Sequence, residues 1–284
     1  WDVSASVTIP TAIVVGAAAT NAMIVAGKSF AEIKVVSTGG GAAGIACLEM
    51  LVKLGVKREN VWLCDLEGLV YKGRTAQMTP QKEAFAQGDK AATLADVIRG
   101  ADLFLGLSGP GVLTPPMVET MAPNPIIFAL ANPTPEILPD EARKVAPGAI
   151  IATGRSDFPN QVNNVLCFPI IFRGALDVGA TTINDEMELA CIEGIAALAR
   201  ATTSAEAAAA YRGETLSFGT DYLIPKPFDP RLIGVVASAV AKAAMETGVA
   251  TRPLEDFDAY KRKLDGSGFK SALLMRPVFE SSNM

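Results

Sequence analysis

The chain has 284 residues, enough for one large or two small domains with a substantial core, and half of them are hydrophobic while only 6% are aromatic. A formal net charge of −5, with no arginine-rich or lysine-rich run, leaves no footprint for nucleic acid and argues against an anionic membrane surface. Histidine is absent altogether, which excludes His-based zinc sites, Ser-His-Asp triads and any histidine general base within these residues.

The first element expected is a buried helix over Thr11–Ala26, stopped by Gly27. Residues 3–27 carry no charged side chain, a length that raises a membrane span. Pro10, Asn21 and several Ser and Thr interrupt the run, and no basic flank precedes it, so a core helix is the better expectation. A start at Trp1 rather than Met points to a cut or processed chain.

A β-branched strand, Ile33–Val36, then enters the cluster Gly39–Gly41, and an apolar helical pattern follows from Ala42 to Leu54. Gly39, Gly41 and Gly44 form the G-x-G-x-x-G spacing of a dinucleotide site. Gly39 serves the tight turn, Gly41 the close approach to a pyrophosphate, and Gly44 the packing of helix on strand. The first-turn residues Ala42, Ala43 and Gly44 would offer backbone N–H groups and a partial positive charge to the phosphates. A second strand, Val61–Asp65, ends in an acidic residue about twenty positions on, where a carboxylate accepts from an adenine-ribose hydroxyl. Asp65 favours NAD because it repels a 2′-phosphate, whereas Lys72 and Arg74 close behind offset that repulsion.

Residues 67–89 read as a loop holding a short helix, Pro80–Ala86. Helix Thr93–Arg99, strand Leu103–Leu107, helix Pro115–Met121, strand Ile126–Leu130, helix Pro139–Val145 and strand Ala149–Thr153 follow in regular alternation. Such alternation predicts an α/β fold, a doubly wound parallel sheet of Rossmann type, with extra C-terminal helices. Function in such a sheet gathers beyond the carboxyl ends of the strands. Here those ends carry Gly39–Gly44, Asp65, Ser108–Gly111, Asn132–Thr134 and Gly154–Asp157. Ser108 is expected to approach the cofactor from that edge, with Arg155 and Asp157 as lining residues or a surface pair.

After Pro159 come the apolar run Val165–Phe172, a helix Asp185–Arg200 capped by Asn184, an Ala-rich stretch Ala205–Ala210, and a helix Leu232–Thr247. The closing residues Leu273–Phe279 read as a docking segment. The four cysteines, Cys47, Cys64, Cys167 and Cys191, sit in apolar runs without a C-x-x-C pair. They are expected as buried, reduced side chains, consistent with a cytoplasmic setting.

Several segments together resemble the C-terminal, cofactor-binding half of malic enzymes. They are FALANPTP (Phe128–Pro135), TGRSDFPNQVNNVLCFPIIFR (Thr153–Arg173) and GALDVGATTINDEM through Met187, with VKRENVWLCDLEGLVY (Val56–Tyr71) and GLSGPGVLTPPMV (Gly106–Val118) in support. The closing LLMRPVFE (Leu273–Glu280) is similar to the junction at which the large bacterial type continues into a phosphotransacetylase-like domain. The resemblance implies oxidative decarboxylation of L-malate to pyruvate and CO2, with NAD or NADP as hydride acceptor, Mg or Mn as metal, and a homo-oligomeric assembly. It also implies that Asn132 lies near nicotinamide and malate, that Asn164 binds substrate, and that Asn163 supports Asn164. Carboxamides suit that task because they donate hydrogen bonds without a charge to desolvate.

On this reading residues 11–250 are the NAD(P)-binding domain, 1–10 an atypical N-terminal segment and 251–284 a C-terminal extension or linker. The departures from the family limit the expectation. Where the family places a metal-ligating Asp in DDQHGT, this chain reads Ser6-Val7-Thr8-Ile9-Pro10-Thr11, with no carboxylate. No metal ligand is assigned, and the family's tyrosine acid and lysine base belong to its N-terminal half. Lys28, Tyr71 and Lys72 are candidates by type only. The alternatives are a non-catalytic dinucleotide-binding or regulatory module acting with a partner chain, and a different NAD-dependent dehydrogenase.

Overall fold

The computed structural model describes residues 5–201, 216–227 and 229–266. The expectations for Ala205–Ala210 and Leu273–Phe279 lie outside the described residues. The chain forms two compact units, 1–163 and 164–284, so a unit boundary falls inside the stretch expected as one cofactor-binding domain.

The first unit is built on a six-stranded sheet. Its strands are β1 (Val35–Thr38), β2 (Val61–Asp65), β3 (Gly68–Leu69), β4 (Leu103–Gly106), β5 (Ile126–Ala129) and β6 (Ile150–Thr153). They lie in the order β3-β2-β1-β4-β5-β6. Neighbours are parallel except β2 and β3, so the sheet is mixed rather than wholly parallel. Strand β3 is a two-residue antiparallel edge, closed by a tight return at Leu66–Glu67.

From β1 the chain steps outward to β2, and from β4 it steps the opposite way to β5. Right-handed crossovers therefore put helix α2 (Ala42–Lys53) and helix α5 (Pro115–Glu119) on opposite faces, with a switch point between β1 and β4. Both sheet faces are covered, and β1, β4, β5 and β6 are buried along their whole length. Val36, Phe104, Ile127 and Ile151 stand in one row across four strands. They join α4 (Leu94–Val97) and α6 (Pro139–Val145), through Val97 and Ala142, in one apolar cluster.

Helix α1 (Ala5–Ala26) begins earlier than expected, with Pro10 inside it. Its segment Thr8–Ala26 is long and apolar enough to cross a membrane, yet 67% of that window is buried in the fold. Ile13, Val14, Val15, Ala17, Ala18 and Ala19 are fully covered, and the helix packs against α2. In short helix α3 (Pro80–Glu83) the Thr79 hydroxyl accepts from the Lys82 N–H, and in α4 Thr93 and Asp96 form a reciprocal capping box.

The second unit is helical. After a 3₁₀ turn, Asn164–Leu166, come α7 (Phe168–Asp177) and α8 (Asp185–Arg200). The Asn184 side chain caps α8 by accepting from Met187 N–H at 3.1 Å. A π-helical turn, Ile233–Ala237, leads into α9 (Ser238–Glu246). Gly174 on α7 accounts for its tight seat there, since a Cβ would collide with the Ala237 carbonyl and with Val240. The helical segment 257–266 is tied back to α7 by the Tyr260 hydroxyl, which donates to Asp177 at 2.9 Å.

Candidate functional site

The turn from β1 into α2 carries the three fingerprint glycines. Gly39 adopts φ +104, and its N–H donates to the Cys64 carbonyl at 3.0 Å. A Cβ there would collide with the Leu107 carbonyl oxygen, and a Cβ on Gly44 would collide with the Gly39 carbonyl oxygen. Both sites are thus closed to any larger residue by neighbouring backbone. Gly41 is different: nothing lies within 4 Å of the position its Cβ would take. That space is open for a ligand, and Gly41 and Ala42 are exposed beside it.

Gly41 is the N-cap of α2, and no side chain caps it. The first intrahelical bond runs from Ile45 N–H to the Gly41 carbonyl at 3.0 Å. The N–H groups of Ala42, Ala43 and Gly44 lie beyond the helix's own carbonyls, as at any helix start. A twelve-residue helix thereby aims its positive end at open space beside the switch point, which is the geometry of an anion site.

Asp65 stands at the end of β2, where expected, but its carboxylate is already occupied. Arg74 grips it with two bonds, Nη1 to Oδ1 at 2.8 Å and Nη2 to Oδ2 at 2.5 Å. Lys82 Nζ donates to Oδ2 at 2.7 Å, and the Glu67 N–H donates to Oδ1 at 2.9 Å. Arg74, Lys82 and Asp65 side chains are only 4%, 10% and 7% exposed. Burial works to raise the Asp65 carboxyl, but the bonds from Arg74, Lys82 and Glu67 outweigh it and hold it at about 2. The group is an anchor for two cations rather than a ready acceptor for ribose. Lys82 also donates to the Gln77 carbonyl at 2.8 Å, and its stem lies over the glycine turn, where a Cβ on Gly40 would meet it. Of the two cations expected near Asp65, Arg74 is in the cluster, whereas Lys72 is exposed. Lys82 is the member that the sequence reading missed.

Across the switch point, Ser108 and Asn132 follow β4 and β5, both exposed at the same sheet edge. Ser108 Oγ donates to Thr38 Oγ1 at 2.8 Å, which ties the β4 loop to the end of β1. Beneath them lies Glu136, fully buried and unmarked by any sequence signal. Its Oε1 accepts from Ser108 N–H at 2.9 Å and its Oε2 from Ala131 N–H at 3.0 Å. The Asn132–Pro133 peptide is cis. At the end of β6, Arg155 pairs bidentately with Asp157 at 2.8 and 2.6 Å and donates to the Pro133 carbonyl at 3.3 Å. Asn163 closes the first unit, and Asn164 opens the second in the 3₁₀ turn, its carbonyl accepting from Cys167 N–H at 3.0 Å.

Of the residues considered by type, Lys28 is a structural partner of Asp102 at 2.8 Å, and Tyr71 packs on the apolar cluster. The family's divalent cation does not fit this donor set. Among the described residues, no three His, Cys, Asp or Glu side chains come together to hold a metal ion. The four cysteines are buried; burial pushes the Cys47 and Cys64 thiols up to about 12.

The profile of the family described as "Malic enzyme, NAD binding domain" matches residues 9–211. The chain is similar to the NAD-dependent malic enzyme of Rhizobium meliloti, 60% identical over 272 residues that cover 96% of this chain and 35% of that protein. It is also similar to the NADP-dependent malic enzyme of Escherichia coli, 56% identical over 273 residues, 96% of this chain and 36% of the other. Among solved structures, the malic enzyme from Pyrococcus horikoshii aligns at a TM-score of 0.78 with 35% identity, covering 97% of this chain and 61% of that one. The chain therefore spans about a third of the length of these curated relatives.

Proposed function

Because this chain belongs to the malic enzyme family, we propose that it is the NAD(P)-holding portion of an enzyme that oxidatively decarboxylates L-malate to pyruvate and CO2. The observation that carries the reading is the open N-terminus of α2 beside the empty space at Gly41, at the switch point of a doubly wound sheet. The cofactor's pyrophosphate would rest on the N–H groups of Ala42, Ala43 and Gly44. Its adenine half would run toward Asp65, and its nicotinamide half toward Ser108 and Asn132. Bound there, the cofactor supplies the hydride acceptor. The chain's own residues bind and orient it, and Asn132 would meet the substrate.

Among the described residues no three His, Cys, Asp or Glu side chains gather to hold a metal ion, and the tyrosine acid and lysine base that the resemblance implies belong to the family's N-terminal half. We therefore expect cofactor binding without malate turnover, as a cofactor module completed by further protein. A cytoplasmic homo-oligomer is the setting proposed for it by family resemblance. Titrating the chain with NADH or NADPH and following the nicotinamide fluorescence tests the binding. No binding of either would overturn the reading, and malate-dependent NAD(P)H production by this chain would overturn the claim that it needs a complement.

The Asp65–Arg74–Lys82 cluster supports NADP as the preferred form. Its carboxylate is spent on two cations, and the cluster carries net positive charge beside the glycine turn. A 2′-phosphate would meet charge-assisted donors there instead of a repelling carboxylate. Tighter binding of NADPH than NADH is the expected result.

A further inference from the structure

The geometry points to Glu136 as a positioning residue that sets the nicotinamide half of the cofactor site. It touches neither cofactor nor substrate. It acts through the two backbone N–H groups it holds, and the inference rests on the cofactor reading above.

Glu136 is fully buried and lies under the ends of two adjacent parallel strands. One carboxylate oxygen takes the N–H of Ser108, two residues past β4. The other takes the N–H of Ala131, the residue before Asn132. The Ser108 hydroxyl lies 3.4 Å from the same carboxylate and 2.8 Å from Thr38, so the connection continues to β1. One side chain thus sets the spacing of two strand ends, β4 and β5. These are the ends that flank the switch point on its nicotinamide side.

The site has been shaped around this carboxylate. Gly106, the last residue of β4, leaves the room it occupies, since a Cβ there would collide with the Glu136 carboxyl group. Asn132 is braced from both directions: Glu136 holds the N–H before it, and Arg155 holds the Pro133 carbonyl after it. A carboxylate satisfied by backbone N–H groups forms stronger, shorter bonds than a neutral acceptor would. If one oxygen becomes an amide nitrogen, one of the two bonds is lost because a donor then faces a donor, and the other is left with a neutral acceptor.

The adenine half of the site is built from other parts, the glycine turn and the Asp65 cluster. Disturbing Glu136 should therefore split the cofactor's two halves. The test compares NADH, NADPH and ADP-ribose binding to the unaltered chain and to Glu136→Gln. Expected is a roughly tenfold loss for the nicotinamide cofactors, about one charged hydrogen bond's worth, with ADP-ribose affinity unchanged. Unchanged ADP-ribose binding also shows that the variant is folded. Glu136→Asp keeps the charge but reaches only one of the two loops, and should show the same selective loss at smaller size; it carries the test should Glu136→Gln not fold. Equal loss for all three ligands would reduce Glu136 to a structural role and overturn the inference, as would unchanged binding of all three. Failure of the unaltered chain to bind any of them would instead overturn the cofactor reading, and this inference with it.

Discussion

Replacing Asp65 by Asn separates two roles for the carboxylate. If Asp65 chiefly accepted a ribose hydroxyl, the change would cost binding and little stability. In the structure it would leave Arg74 and Lys82, 4% and 10% exposed, without their counter-charge. Removing one partner of a buried ion pair costs about 3–5 kcal/mol, because the remaining charge stays desolvated. For a protein of this size that lowers the melting temperature by on the order of 10 °C. The pH dependence gives a second, independent magnitude. The Asp65 carboxyl lies at about 2 in the fold against an ordinary 3.8. A depressed carboxyl stabilises the fold fully above the unfolded value and loses that contribution as pH falls through the folded one. Asp65 should therefore contribute about 2 kcal/mol at neutral pH that disappears between about pH 4 and pH 2. The substitution costs more than this because a protonated carboxyl keeps acceptor capacity on both oxygens, whereas the amide replaces one of them by an NH2 donor that faces a donor. Urea denaturation of the unaltered chain and Asp65→Asn, at pH 7 and at successive steps down to pH 2, measures both quantities. An unchanged midpoint at pH 7, or the same acid slope in both proteins, would refute the ion-pair account.

Lys82→Gln removes one cation while keeping the bidentate Arg74–Asp65 grip. NADPH affinity should fall about tenfold or more with NADH nearly unaffected, and an equal loss for both would show that Lys82 does not meet the 2′-phosphate. Gly39→Ala should lower stability by roughly 1–3 kcal/mol from the positive φ alone, with the collision at Leu107 added, and so lower the urea midpoint; an unchanged midpoint would contradict the turn geometry. The four thiols should resist a thiol-specific reagent at pH 8 until denaturant is added, because burial raises Cys47 and Cys64 to about 12. Rapid stoichiometric labelling of the folded chain would exclude that packing.

The parallel strands were legible because each is a short apolar run bounded by turn residues, and all five fall within about two residues of their expected places. The misses have local causes. Strand β1 starts at Val35 rather than Ile33 because the Lys34 N–H turns to the Asp102 side chain at 2.9 Å instead of the sheet. Strand β3 is two residues long and has no periodicity to read. Gly39, Gly41 and Gly44 were legible because a fixed spacing between strand and helix has a fixed physical use. Lys82 and Glu136 were not. One sits 17 positions from the carboxylate it meets, in a short helix with no motif around it, and the other looks like one more acidic residue in a Pro-rich turn. Only the fold brings each to its strand end.

These two residues bear on what the sheet edge is able to hold. Among the described residues, carboxylates near the strand ends include Asp65, Glu136 and Asp157, with Glu67 exposed in the turn after β2 and accepting from Gln77 Nε2 at 3.4 Å. Asp65 is taken by Arg74 and Lys82, Glu136 by two backbone N–H groups, and Asp157 by Arg155. What this edge presents beyond them is the N–H groups at the start of α2, the Ser108 hydroxyl, the Asn132 carboxamide and the cations of the Asp65 cluster. Such an edge is matched to anions: a pyrophosphate, a 2′-phosphate, the carboxylates of a dicarboxylic acid. It is poorly matched to a divalent cation, which needs oxygen ligands carrying negative charge that are not already spent. Among the described residues no three His, Cys, Asp or Glu side chains gather to hold a metal ion, and Asp65, Glu136 and Asp157 are committed to partners of their own, so the side chains of this edge suit anions better than a divalent cation.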